Sequence, residues 1–228
     1  SSAFCTSRAT ELPSRMLGIS LGCRNTREAK MALNSAARHA DIVELRLDFM
    51  EDYDLNSLLG DKPCPVVVTN RPVREGGLFD GSERDRIKSL LEAIDLGADY
   101  IDIEHDAVHL IGDRKQTKLM VSRHDFHVMP NNLNEICSDL VAKGADVIKV
   151  VGTAGSVLDN LSVFDILENA HRSTVAIAMG ELGLMSRILA LRYDACFLTY
   201  ATPDHGNSVA PGQLPVSTMR NVYHVANI

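Results

Sequence analysis

The chain has 228 residues, 45% hydrophobic and 23% charged, with 23 Lys and Arg against 30 Asp and Glu, a formal net charge of −7. A chain this long buries roughly 70% of the surface its unfolded form exposes, so it needs neither a disulfide framework nor a structural metal. The acidic balance argues against the basic face of a nucleic-acid binder, and no apolar run nears the roughly 18 residues of a membrane-spanning helix.

Residues 1–16 are rich in Ser, Thr and Arg, carry one acid, Glu11, and lack the apolar stretch of a secretory signal. They read as a ragged N-terminal extension, with a transit-peptide remnant as the alternative. Five cysteines, at 5, 23, 64, 137 and 196, are odd in number, widely spaced and without a CxxC. That pattern suits reduced thiols in the cytoplasm.

From Leu17 onward, short apolar runs alternate with amphipathic stretches. Strands are predicted at 17–23, 41–48, 65–71, 99–106, 118–125, 146–152, 174–180 and 195–201. Most are rich in Val, Ile and Leu, as strands buried on both faces of a parallel sheet are. Helices are predicted between them. The first covers 26–40 with Thr26 as its N-cap. The next, 83–97, puts Ile87, Leu90, Leu91 and Ile94 on one side and ends at Gly97. A third, 132–143, ends at Gly144, and 161–171, 181–192 and 215–226 follow. The patterns at 54–60 and 107–116 are weaker and read as short or irregular.

Eight βα units leave about 28 residues each, near the roughly 30 of a barrel unit. A doubly wound sheet would bring a Gly-rich first turn, whereas CRNTRE follows the first strand. Neither GxGxxG nor GxxxxGK[ST] occurs, which argues against a nucleotide cradle. The predicted fold is an α/β (β/α)8 TIM barrel, a single domain over 17–228.

Polarity enters these strands with period two. Glu44, Arg46 and Asp48 share one face, as do Thr69 and Arg71, then Asp102, Glu104 and Asp106, then Ser122 and His124. Their neighbours Val43, Leu45, Leu47, Ile101, Ile103 and Val121 are apolar and should pack outward on helices. In a barrel the polar face points into the lumen, where charges are costly unless paired. A paired network of Glu44–Arg46 and Arg71–Asp102 type, without chemistry, is the bland reading; chemistry at the C-terminal mouth is the sharper one.

Lys149 stands alone in VIKVV, where apolar neighbours would desolvate it. Desolvation disfavours the ammonium and is one way to activate an imine-forming lysine. An ion pair with Glu104 or Asp102 is the alternative. His124, in SRHDFH, is a candidate proton carrier. His127 should point elsewhere. His105 and His109 have i,i+4 spacing without an evident third ligand, so no metal site is expected. Two loops are Gly-rich or Gly/Pro-punctuated: 74–83, with Glu75 just past its strand, and 202–213, which reads as a lid.

These residues carry a resemblance. ELRLD (44–48), TNRPVREGG (69–77), DYIDIE (99–104), SRHDF (122–126), DVIKVV (146–151), MGELGLMSR (179–187), LTYA (198–201) and APGQ (210–213) occur in order. Together they resemble the type I 3-dehydroquinate dehydratases, from about Leu17 to Tyr223. The resemblance implies a barrel that dehydrates 3-dehydroquinate to 3-dehydroshikimate, in the shikimate pathway, without metal or organic cofactor, and as a homodimer. It implies Lys149 as the imine-forming lysine, His124 as general acid–base and Glu75 as the carboxylate orienting it. Glu44, Arg46, Arg71, Arg187 and Gln213 are similar to substrate-binding groups and Met179 to a lining residue. Arg187 would meet the substrate carboxylate. The family commonly has Ser directly before the Ala of APGQ; here Val209 stands there, with Ser208 one residue earlier, so Ser208, Val209 and Ala210 are the candidate lid contacts. No second catalytic domain is expected after the barrel. Two other readings stay open: another lysine-imine barrel of aldolase type, and a non-catalytic metabolite-binding barrel.

Overall fold

The computed structural model describes residues 15–206 and 208–225. The predicted N-terminal extension, with Cys5 and Glu11, lies outside these residues apart from Arg15 and Met16, as does position 226 of the last predicted helix. Eight strands are present: β1 (Met16–Leu21), β2 (Ile42–Arg46), β3 (Val66–Thr69), β4 (Tyr100–Glu104), β5 (Lys118–Asp125), β6 (Val147–Thr153), β7 (Thr174–Met179) and β8 (Leu198–Ala201). They form one sheet in the order β7-β6-β5-β4-β3-β2-β1-β8, each registered pair parallel. A bridge between Thr174 and Cys196, with the Phe197 N–H donating to the Thr174 carbonyl at 2.7 Å, brings β7 to the base of β8. The sheet thus curls into a nearly closed barrel. Met16 pairs with Leu198, so the barrel starts one residue before the predicted boundary.

Outside lie α1 (Thr26–Ala36), α2 (Leu55–Leu59), α3 (Glu83–Asp95), α4 (Leu133–Ala142), α5 (Asp159–Asn169), α6 (Leu184–Leu189) and α7 (Val216–Asn221). In α1, Ala29, Leu33 and Ala36 recur at helical spacing and are buried. Its N-cap is Asn25, not Thr26: the Asn25 side chain accepts from the Glu28 N–H at 3.0 Å. The Thr26 hydroxyl is used elsewhere, accepting from the Asp54 N–H at 2.8 Å. The helix also stops at Ala36 rather than at 40. In α3, Ser82 caps the Asp85 N–H and Ile87, Leu90 and Ile94 are buried; Leu90, fully buried, contributes roughly 1.5–3 kcal/mol. Gly97, at φ +78°, follows the helix in the left-handed conformation that ends it. The weak segment 107–116 yields one 3-10 turn, Val108–Leu110. The last helix is half its predicted length.

Alternation sorts the strand residues into two layers. Leu17, Ile19, Val43, Leu45, Val66, Val68, Ile101, Ile103 and Val121 join the helices in the outer core. Ile42, Val67, Met120, Val147, Val175 and Leu198, each near the start of its strand, make an apolar floor inside the barrel. Above that floor come Ser20, Glu44, Thr69, Asp102, Ser122 and Lys149, all buried. The sequence therefore builds a lumen that is greasy below and charged above.

Candidate active site

Lys149 is the third residue of β6 and points inward, 5% exposed. Its Nζ lies 2.7 Å from Asp102 Oδ2 and 3.4 Å from Glu44 Oε1. Of the two readings from sequence, desolvation among apolar neighbours and an ion pair with Glu104 or Asp102, the structure shows burial together with the Asp102 pair, and adds Glu44 from β2. Asp102 is shared with Arg71, whose Nη2 is 2.5 Å from the same oxygen. Burial alone would raise Asp102, but Arg71 and then Lys149 hold it well below the usual carboxylate range. Burial likewise opposes ionisation of Glu44, and Lys149 and Arg46 override it. Glu44 also accepts from the Thr69 hydroxyl at 2.8 Å and from Ser20.

The expected Arg71–Asp102 pair is present; the expected Glu44–Arg46 pair is not. Arg46 instead clasps Asp48 through two hydrogen bonds of 2.8 and 2.6 Å, with its guanidinium 4.9 Å from the Phe49 ring centroid. Asp48 sits in a 3-10 turn, Leu47–Phe49, past the end of β2 and also accepts from the Leu78 N–H at 3.0 Å, tying down the loop after β3. Arg71 lies beyond β3 and reaches back to Glu104 and to the Ser122 hydroxyl.

His124 stands near the end of β5, its ring Nδ1 2.8 Å from Glu75 Oε2. The same oxygen accepts from the His124 backbone N–H at 3.0 Å. An ionised carboxylate only accepts, so Nδ1 carries the proton and Nε2 keeps a free lone pair. Burial first, then the charges of Arg71 and Lys149, hold His124 well below its ordinary value, so the ring is neutral. Glu75 is pushed up to about 7 by burial, against the pull of Arg71 and with Glu104 repelling. The turn that carries Glu75 ends at Gly76, φ +73°, where a Cβ would run into the Phe126 ring; only glycine serves there.

Arg187, on α6, is 1% exposed and differs from the other buried arginines. Arg46, Arg71 and Arg86 each meet a carboxylate. Among the described residues Arg187 meets none: Nη2 donates to the Pro211 carbonyl at 2.9 Å and Nε has no hydrogen-bond partner. Burial lowers it to about 10. A desolvated guanidinium without a counter-charge is a site for an anion, and its planar fork matches a carboxylate.

These groups line one cleft. Its walls include Glu44, Arg46, Arg71, Glu75, His124, Lys149, Met179, Arg187, Val209, Ala210 and Gln213, all named from sequence. Ser208 is not among them. Its hydroxyl turns to the Ala210 carbonyl at 2.6 Å and Gln213 Oε1 at 3.2 Å, inside the loop. A Cβ at Gly22 would stand 2.7 Å from a Val209 methyl and 2.8 Å from the Phe49 ring, so Val209 seats on Gly22 beside Phe49. The Val209 contact is apolar. Beyond it the backbone packs closely on the turn after β7: a Cβ on Gly212, φ +76°, would be 2.6 Å from the Gly180 carbonyl oxygen. His105 and His109 stay outside the cleft. Sequence reasoning passed over Tyr200, Phe126, Val151, Ile177 and Pro211, which also line it; inward register with Leu198 was the available signal for Tyr200.

Comparison with known proteins places this geometry. A sequence profile described as Type I 3-dehydroquinase matches residues 17–228. The 3-dehydroquinate dehydratase of Desulfotalea psychrophila is 32% identical over 222 residues, covering 92% of this chain and 97% of that protein. The chloroplastic bifunctional 3-dehydroquinate dehydratase/shikimate dehydrogenase of Arabidopsis thaliana is 34% identical over 214 residues, 87% of this chain, which spans only 35% of that protein's length. The crystal structure of 3-dehydroquinate dehydratase from Geobacillus kaustophilus superposes with a TM-score of 0.77 over 93% of this chain and 91% of that one, at 23% identity, a likeness of fold.

Proposed function

The chain belongs to the type I 3-dehydroquinase family, and on that premise we propose how its residues carry the reaction. The family's reaction is the dehydration of 3-dehydroquinate to 3-dehydroshikimate, a hydro-lyase step of the shikimate pathway. The observation that carries the residue roles is the buried Arg187 without a counter-ion, in the same cleft as an amine and a neutral imidazole.

Arg187 takes the substrate carboxylate. Lys149 gives up one proton to add to the ketone carbon as the free amine, and that proton goes to the carbinol oxygen, which leaves as water with a second hydrogen from the nitrogen, giving a protonated imine. That cation stands where the ammonium stood, so Asp102 and Glu44 hold it in turn. The His124 Nε2 removes a proton from the adjacent carbon, and the electron pair moves to the imine nitrogen as an enamine. The enamine expels the β-hydroxyl, which takes the proton back from His124 and departs as water. Hydrolysis of the remaining imine frees Lys149 and the product. Glu44, Arg46, Arg71 and Gln213 contact the substrate's oxygens in this reading, and Met179 packs on its ring. Borohydride added with 3-dehydroquinate tests it: the ligand should become fixed on the peptide bearing Lys149. An adduct on another lysine, or none from an active enzyme, ends the imine proposal.

Glu75 acts through His124. Because Glu75 titrates at about 7, kcat/KM is expected to fall about tenfold per pH unit as Glu75 gains its proton below that value. Glu75→Gln should abolish this acid limb and lower the plateau by up to roughly 10⁴-fold, the loss seen when a triad aspartate becomes its amide and the imidazole is left in the wrong tautomer. A variant with the wild-type limb would show that another group titrates there.

We further infer a homodimer in the cytoplasm. The resemblance implies the dimer, and the free thiols of Cys23, Cys64, Cys137 and Cys196 suit a reducing compartment. Among the described residues no helix is long and apolar enough to cross a membrane. A light-scattering mass of one chain would remove the dimer.

A further inference from the structure

Tyr200 is the third residue of β8, points into the lumen and is 3% exposed. Gly18, its partner on β1, makes room for the ring: a Cβ there would stand 3.3 Å from Tyr200 Cδ1. Lys149 Nζ is 4.9 Å from the ring centroid, and Tyr200 lines the same cleft as Lys149 and Arg187. Its hydroxyl is buried and has no hydrogen-bond partner among the described residues. A ring that only packs would be more stable as phenylalanine, because a buried hydroxyl without a partner is a cost. Burial first, then Glu44 and Asp102, hold the phenol well above its ordinary value, so it stays a donor.

We propose that the Tyr200 hydroxyl is a specificity contact, donating a hydrogen bond to a ring hydroxyl of the substrate when the carboxylate lies on Arg187 and the ketone on Lys149. The contact rests on the residue roles given above. It selects a hydroxylated ring over a deoxy one, because only the hydroxylated ring satisfies the buried phenol.

Tyr200→Phe removes one oxygen and nothing else. Its KM for 3-dehydroquinate is expected to rise about tenfold while kcat stays within about threefold, the signature of a contact kept from ground state to transition state. Its Tm without substrate should equal or exceed the wild-type value. Unchanged KM beside normal wild-type turnover overturns this contact alone. A fall in Tm together with kcat overturns it too, by assigning Tyr200 to the packing of the barrel. No turnover of 3-dehydroquinate by the wild type overturns the dehydratase reading, and this contact with it.

Discussion

Lys149→Ala loses turnover by at least about 10⁴-fold, since it removes the nucleophile and the gain from holding it against the ketone. Product formation, followed as the ultraviolet absorbance of the new conjugated enone, should drop to background, and borohydride should fix no ligand. The same substitution has a second effect. Lys149 is one of two cations on Asp102 and one of the charges holding Glu44 ionised. Breaking a buried pair by removing one partner costs about 3–5 kcal/mol. A chain of this size shifts by about 2–4 °C per kcal/mol, so a Tm about 6–20 °C lower is expected, reduced where Arg71 compensates Asp102. Turnover within tenfold of the wild type would refute the nucleophile; an unchanged Tm would refute only the charge argument.

His124→Ala is expected to lower kcat by about 10²–10⁴-fold with KM changed only a few-fold. The imine should still form, so borohydride should still fix the ligand on Lys149 in this variant. That separates the two residues: Lys149→Ala loses both adduct and turnover, His124→Ala turnover alone. Loss of trapping in His124→Ala would move the histidine's work to imine formation, and unaltered kcat would remove it from proton transfer.

The barrel was legible because its physics is local. The eight apolar runs, most rich in Val, Ile and Leu, read as buried strands, and polar residues at period two in β2, β3, β4 and β5 mark the face that turns to the lumen. The failures were local as well, at points of competition. Asn25 and Thr26 are both capable caps, and Thr26 lost because Asp54 takes its hydroxyl. The segment 107–116 has Val108, Leu110 and Ile111 but then Gly112 and Asp113, which leave one turn. Lys149 and His124 stood out from their own strands and Arg187 through the resemblance, and the fold brings all three to one cleft. Pairing was legible in part: Asp102 was among the partners named for Lys149 and Arg71, and it meets both. Glu44 was not named for Lys149, from which it is 105 positions distant, and no pattern within one strand announces a counter-ion delivered by another. The lack of any carboxylate at Arg187 is likewise a fact of three dimensions. Val209 was visible as a departure, but its seat on Gly22 and Phe49 needed the fold.

The apolar floor beneath Lys149 has its own consequence. Ile42, Met120, Val147, Val175 and Leu198 make the lower end of the barrel apolar, so a water there would find no polar partner. If Lys149 works as proposed, the water expelled in the elimination step is favoured among the charged groups above that floor, beside the imine that it can cleave in the last step.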